Sequence, residues 1–136
     1  GRRDDAMLFS ALTNPQHISP WLDILLSHRI PLIGIYSLPN ISAPLIKDID
    51  SEHILLLSWE KHAGLRQTYF NKKHLHFSRL TPISENSSFR ESIAAETPRT
   101  QHYLNSLSLP PHGETLDVLI GTGDIFNGRR FIGCHA

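Results

Sequence analysis

Hydrophobic and polar positions change period several times along the chain, and each change marks an element. Asp4 to Leu12 carries enough apolar residues for a strand. Asn14-Pro15, and again Ser19-Pro20, has the form of a helix start: a capping side chain followed by a proline whose missing N–H costs nothing in the first turn. Ile18, Trp21, Leu22, Leu25 and Leu26 share one face at spacings of three and four, which predicts a helix through His28 with Trp21 in the core. The apolar run IPLIGIYSLP, Ile30 to Pro39, is bounded by proline and predicts a strand buried on both faces. Ser42 to Ile49 reads as a short helix or turn.

A meander follows. Its strands are Ile54 to Trp59, Leu65 to Phe70 and His74 to Leu80, joined by polar turns at Lys61 to Gly64 and Asn71 to Lys73. Strict alternation in the third strand puts Leu75, Phe77 and Arg79 on one face and His74, His76 and Ser78 on the other. From Ser84 or Ser87 to Leu107 the period becomes helical, with Phe89, Ile93, Thr97, Thr100, Leu104 and Leu107 on one stripe. Pro98 falls inside that helix and is expected to bend or split it, because it removes a backbone donor and crowds the preceding turn. Thr115 to Gly123 is a last strand entering a glycine turn. A meander combined with crossover helices predicts a mixed sheet in a layered α/β domain.

Composition narrows the function classes. With 136 residues and 40% hydrophobic content, one core and a single domain spanning 1–136 are expected. Thirteen basic residues balance thirteen acidic ones, so no overall field draws the chain to nucleic acid or to an anionic membrane. No apolar run approaches the roughly 20 residues of a membrane span. The single Cys134 excludes an internal disulfide and fits a reducing, cytoplasmic compartment. The abrupt start at Gly1 and the tail NGRRFIGCHA read as the ends of a domain excised from a longer chain.

The stretches GIYSLP, LLLSWEKHAGLRQTYF, HFSRLTP and ESIAAETPRTQHYLNSL, followed by LDVLIGTG, resemble the second half of the actin-like proteins of type IV pilus assembly. They are similar also to the cytoplasmic domain of the type II secretion platform. The carrying residues are Phe77 and Arg79 on a strand, then Glu96, Arg99, Thr100 and Tyr103 on a helix, then Leu116 to Gly123. The likeness covers about residues 30–123. It implies a ribonuclease-H-like, actin-like mixed sheet with a three-stranded antiparallel meander and flanking helices, forming one lobe of a larger bacterial protein.

Nucleotide-binding members of that fold place an Asp-x-Gly turn after the first strand of this half, where the acid helps to hold metal and phosphates. Ser58, Trp59 and Glu60 occupy the matching positions here, with no acid at the first and a bulky side chain beside the backbone. Gly121, Thr122 and Gly123 could still form the small-residue turn against adenosine, although glycines after a strand more commonly make a plain turn. The missing acid outweighs the glycines. The expectation is therefore no catalytic residue and no cofactor, in a scaffold or protein-interaction module with an actin-like ancestry. Its partners would be other proteins, components of a membrane-associated assembly at the inner face of the inner membrane, without direct membrane insertion. The alternative is a genuine ATP-binding domain, with magnesium, completed by a missing lobe.

Other chemistry weighs less. Nine histidines are many for this length, and His74-x-His76 would place two imidazoles on one strand face, with Cys134, His135 and His62 as further soft ligands. None has a recognisable metal spacing, so no metal is expected. The acids Asp48, Asp50, Glu52, Glu60, Glu96, Asp117 and Asp124 do not sit as a two-metal nuclease needs, and Glu96 reads as a helix-surface charge. No nucleophile elbow is present. Lys72, Lys73, Arg79, Arg90 and Arg99 are scattered among acids and read as solvated surface. Trp59, at a strand end beside a polar turn, is the candidate anchor for a protein partner.

Overall fold

A computed structural model describes residues 11–60, 62–82, 88–121 and 131–135. The chain divides into two compact units, residues 1–37 and 38–136.

In the first unit a single turn of 3-10 helix, Pro15–His17, leads into helix α1, Ser19–Ser27. Both prolines lie in first turns as the sequence predicts, but neither expected cap forms: Asn14 makes no capping bond, and Ile18 rather than Ser19 holds the N-cap of α1. The apolar stripe of α1 is not a core stripe: none of its residues is buried, and Trp21 is 69% exposed rather than interior. The expected strand at Ile30 to Pro39 is also absent. Residues 30–37 form no ladder, and Ile33 is almost fully exposed. Pro31 lacks a donor for a ladder, and the Tyr36 ring lies back over Gly34, where an added Cβ would meet it at 2.9 Å. Of the first expected strand, residues 4–10 lie outside the described residues, and Ala11 and Leu12 have no regular structure.

The second unit is a mixed α/β layer built on four strands. These are β1, His53–Glu60; β2, Gly64–Asn71; β3, His74–Pro82; and β4, Asp117–Gly121. A short helix α2, Leu38–Ile41, and a 3-10 turn, Ala43–Ile46, precede the sheet. Helix α3, Phe89–Ser106, crosses from β3 to β4. The order is β3-β2-β1-β4, with β1 antiparallel to β2 and parallel to β4; a fifth strand β5, Phe131–His135, runs antiparallel along the β4 edge.

Burial on both faces belongs to β1, whose residues His53 to Ser58 are all buried. On one face Leu55 and Leu57 join Leu65, Tyr69, Val118 and Leu104 beneath α3. On the other, Ile54 and Leu56 join Phe70 and Leu119 against Ile46 of the 3-10 turn. Each fully buried aliphatic or aromatic side chain contributes about 1.5–3 kcal/mol, so this central strand anchors both cores.

Strand β3 departs from simple alternation. Tyr69 pairs with Phe77 but Phe70 pairs with Leu75, so His76 is the extra residue of a β-bulge. Phe77 consequently packs under α3 while Leu75 packs on the opposite core, although period-two counting puts them on one face.

The turn into β3 has only two residues, Lys72 and Lys73, both with positive φ (50° and 66°). Such a turn suits the twist of a hairpin but favours Asn and Gly. Backbone and side-chain contacts hold the lysines there. The Lys72 N–H donates to Glu52 O at 2.7 Å, and the Lys73 ammonium donates to the Ile46 carbonyl at 3.2 Å and to that of Ile49. Lys73 thereby ties the 3-10 turn to the β2–β3 hairpin instead of lying in solvent.

A capping box starts α3: the Glu91 N–H donates to Ser88 Oγ at 3.3 Å, and the Ser88 N–H donates to Glu91 Oε2 at 2.9 Å. The Ser88 N–H, together with the Ser88 hydroxyl that also donates to Glu91 Oε2 at 2.9 Å, holds the Glu91 carboxyl below its ordinary value. The helix is one continuous element through Pro98, so the expected split does not occur. Thr100 and Leu104 are fully buried, whereas Leu107 lies past the helix end and is half exposed.

Glu96 corrects another expectation, because its carboxylate is buried rather than on the helix surface. Arg79 donates to it at 2.8 Å, Arg99 at 2.6 Å and the Thr81 hydroxyl at 3.3 Å. Arg79 reaches it from β3 and so fastens the helix to the outer part of the meander. Arg99 belongs to the same helix and is mostly exposed. Arg79→Ala is expected to lower unfolding free energy by about 2 kcal/mol, since it strips a buried carboxylate of its cross-element donor. Arg99→Ala is expected to cost less, about 1 kcal/mol, since Arg99 is mostly exposed and its loss leaves Glu96 with the Arg79 and Thr81 donors. Urea unfolding of the two variants, read by far-ultraviolet circular dichroism, measures both.

Candidate functional site

Because β1 and β4 are adjacent and parallel, their carboxyl ends lie together, and so do their amino ends. The register pairs Ser58 with Gly121, so two of the sequence-chosen positions are neighbours at the carboxyl end. In open α/β sheets this is the end where ligands usually bind.

Side-chain placement there is largely self-contained. Ser58 is buried on the face of the 3-10 turn. Trp59 points to the α3 face, partly buried, with its ring edge-to-face on Phe89 at 5.4 Å between centroids. Glu60 and Arg66 face each other across the hairpin: Arg66 Nε donates to Glu60 Oε1 and Nη2 to Glu60 Oε2 at 3.3 Å. Both side chains of that two-pronged pair are more than four-fifths buried. Gly121 has open surroundings, an added Cβ meeting only the Leu57 carbonyl at an ordinary 3.6 Å. Thr122 and Gly123 lie outside the described residues.

The amino end holds the denser chemistry. His53, the first residue of β1, is 3% exposed, and its two ring nitrogens are both engaged. Nδ1 is 2.7 Å from the Tyr69 hydroxyl, and Nε2 contacts Glu114 Oε2. Tyr69, on the neighbouring strand β2, stacks nearly parallel to the His53 ring, 9° between planes, while His76 meets it edge-on from the bulge. Burial first, and the Glu114 charge second, push the Tyr69 phenol up from its ordinary value of 10.0. The ligand atoms of Glu52, His53 and Glu114 all lie within 4.8 Å of one another. They open onto a cleft of about 540 Å³ whose wall includes Asp50, Thr115 and Asp117.

Most of this second cluster escapes sequence reasoning. Glu52 appears there only as one loop acid among several, and His53 and Glu114 not at all, because 61 residues separate the two. The detectable signal is a histidine opening a strand that is otherwise a continuous apolar run. His74 and His76, which the spacing highlights, are exposed and divided by the bulge. Asp124 lies outside the described residues. No helix among the described residues is long and apolar enough to cross a membrane.

No protein-family profile, curated protein or solved structure matches the chain.

Two expected outcomes follow from this geometry. Tyr69 has a raised folded-state pKa and is stable as the neutral phenol, so its contribution is complete below pH 10 and is lost as pH rises through the folded value. Unfolding free energy measured across the alkaline range should fall more steeply for the wild type than for Tyr69→Phe; parallel curves would contradict the assignment. Trp59→Ala should cost about 2 kcal/mol in denaturant unfolding, reflecting partial burial and the ring pair with Phe89. A cost near zero would place the ring in solvent.

Proposed function

We propose that the chain is a non-catalytic scaffold or protein-interaction module with a ribonuclease-H-like, actin-like core, of the kind used in pilus or secretion assemblies. The order β3-β2-β1-β4, with α3 as the crossover and β4 parallel to β1, supports the actin-like reading. β5 runs antiparallel, and the reading rests on the first four strands.

One observation carries the non-catalytic part. The two carboxyl strand ends adjoin, as a nucleotide cleft would require, but the side chains there are committed to the protein itself. Serine stands where the metal-holding acid belongs, and the nearest carboxylate among the described residues, Glu60, is neutralised by Arg66 in a largely buried two-pronged pair. Magnesium takes carboxylate and phosphate oxygens in octahedral geometry, and Glu60 could supply one only by leaving Arg66 with its charge buried. These residues do not fit a magnesium–nucleotide grip, and no hydrolytic step is derived through one. Trp59, held by Phe89 yet only partly buried, is the rigid aromatic that this reading assigns to a partner. The partners on this reading are other proteins of a membrane-associated assembly, with the chain itself on the cytoplasmic side.

Calorimetric titration of the chain with ATP in the presence of magnesium should give no saturable heat. Magnesium-dependent binding at millimolar strength or tighter would overturn the proposal.

A further inference from the structure

At the opposite end of the sheet, we infer that Glu52, His53 and Glu114 form a site for a divalent transition-metal cation of the zinc type. The inference is independent of how the carboxyl end is read, since the two places lie at the two ends of β1.

Three observations converge. The first is donor geometry: one imidazole and two carboxylates bring their ligand atoms within 4.8 Å of each other, close enough to share one ion. The second is the state of His53. A patch of surface acids would be unremarkable by itself, but here the imidazole is buried and oriented. Its Nδ1 is fixed by the Tyr69 hydroxyl at 2.7 Å, which leaves Nε2 directed at Glu114. An outer group on the far nitrogen is the usual device for setting the tautomer and ring orientation of a metal-binding histidine. In the metal-free protein Nε2–H donates to Glu114 while Tyr69 O–H donates to Nδ1. With the ion bound, the imidazole proton shifts to Nδ1, the Tyr69 oxygen accepts it, and the Nε2 lone pair faces the metal. No proton is gained or lost in that exchange.

The third observation is charge. Asp50, Glu52 and Glu114 all line one cleft of a chain whose formal net charge is zero. Lys72 sits 3.5 Å from Glu52, but both side chains are mostly exposed, and water screens the pair. An ion at the cluster is the compact positive charge this wall is shaped to receive. Mixed imidazole and carboxylate donors favour zinc, or a neighbouring transition metal, over magnesium and calcium, which take oxygen alone. Three protein ligands leave at least one coordination position open to the cleft, where water or an anionic molecule can enter. The ion would also join β1 to the α3–β4 connection that carries Glu114.

The test uses the untagged, metal-free chain titrated with zinc chloride in a non-coordinating buffer at neutral pH. One saturating equivalent is expected. Glu52→Gln and Glu114→Gln, both at solvent-accessible positions, should each weaken binding at least tenfold. Tyr69→Phe should weaken it by about ten- to a hundredfold, as loss of an outer-shell partner does. The double variant His74→Ala/His76→Ala should bind as the wild type does. Cobalt(II) gives a reading that needs no variant: intense visible absorption, the mark of a site with fewer than six ligands, is expected to saturate at one equivalent and to be displaced by zinc. The inference is overturned by the absence of saturable zinc binding up to about 1 mM. It is overturned equally by undiminished binding in both Gln variants, or by binding that disappears only with His74 and His76.

Discussion

The backbone pairing of β1 with β2 on one side and β4 on the other is the constraint on which the second unit depends. A strand in the middle of a mixed sheet has no free edge, and six consecutive buried residues leave it no wet face. Both faces therefore need a lid. Helix α3 covers Leu55 and Leu57, and the 3-10 turn at Ala43–Ile46 covers Ile54 and Leu56. Among the described residues β1 itself can present chemistry only at its two ends, with His53 at one and Trp59 and Glu60 at the other.

Those ends have opposite electrostatic characters. At the carboxyl end, acid and base are matched one to one in the Glu60–Arg66 pair, and Trp59 is propped on an aromatic neighbour. Charges satisfied so locally are poor material for binding a phosphate or a metal, because a ligand would have to break an existing buried pair. At the amino end several carboxylates crowd a single imidazole. Burial of His53 and Tyr69 makes their mutual contact strong and leaves the imidazole little freedom to rotate.

Long-range polar contacts make the lids specific. Arg79 from β3 meets the buried Glu96 of α3, and Lys73 meets the carbonyls at the end of the 3-10 turn. Each is a charged group that fixes one orientation of a covering element, where apolar packing alone would tolerate sliding. Lys73 does so from a turn conformation unfavourable to its type, and the hydrogen bonds it gains there offset the local cost.

The order of elements in residues 42–121 was legible from the chain because period and punctuation are local: the meander, its polar turns, the long helix and the final strand all follow from spacing, while α3 starts at Ser88 rather than at the expected Ser84 or Ser87. Where local pattern required an external partner, the sequence was silent. Ile30 to Pro39 is as apolar as β1, but it contains proline and finds no ladder, and an apolar run is a strand only when another strand accepts its hydrogen bonds. The facing of β3 changed at His76 because a bulge is a property of two paired strands, invisible in either alone. Glu96 became interior because an arginine on the preceding strand could reach it. His53 and Glu114 met for the same reason: parallel pairing of β1 with β4 brings together residues that no spacing rule connects. The sequence by itself determined which segments of residues 42–121 are strands and which is the long helix; the tertiary structure alone decided which strands pair and which charges are buried together, since both depend on distances through space rather than along the chain.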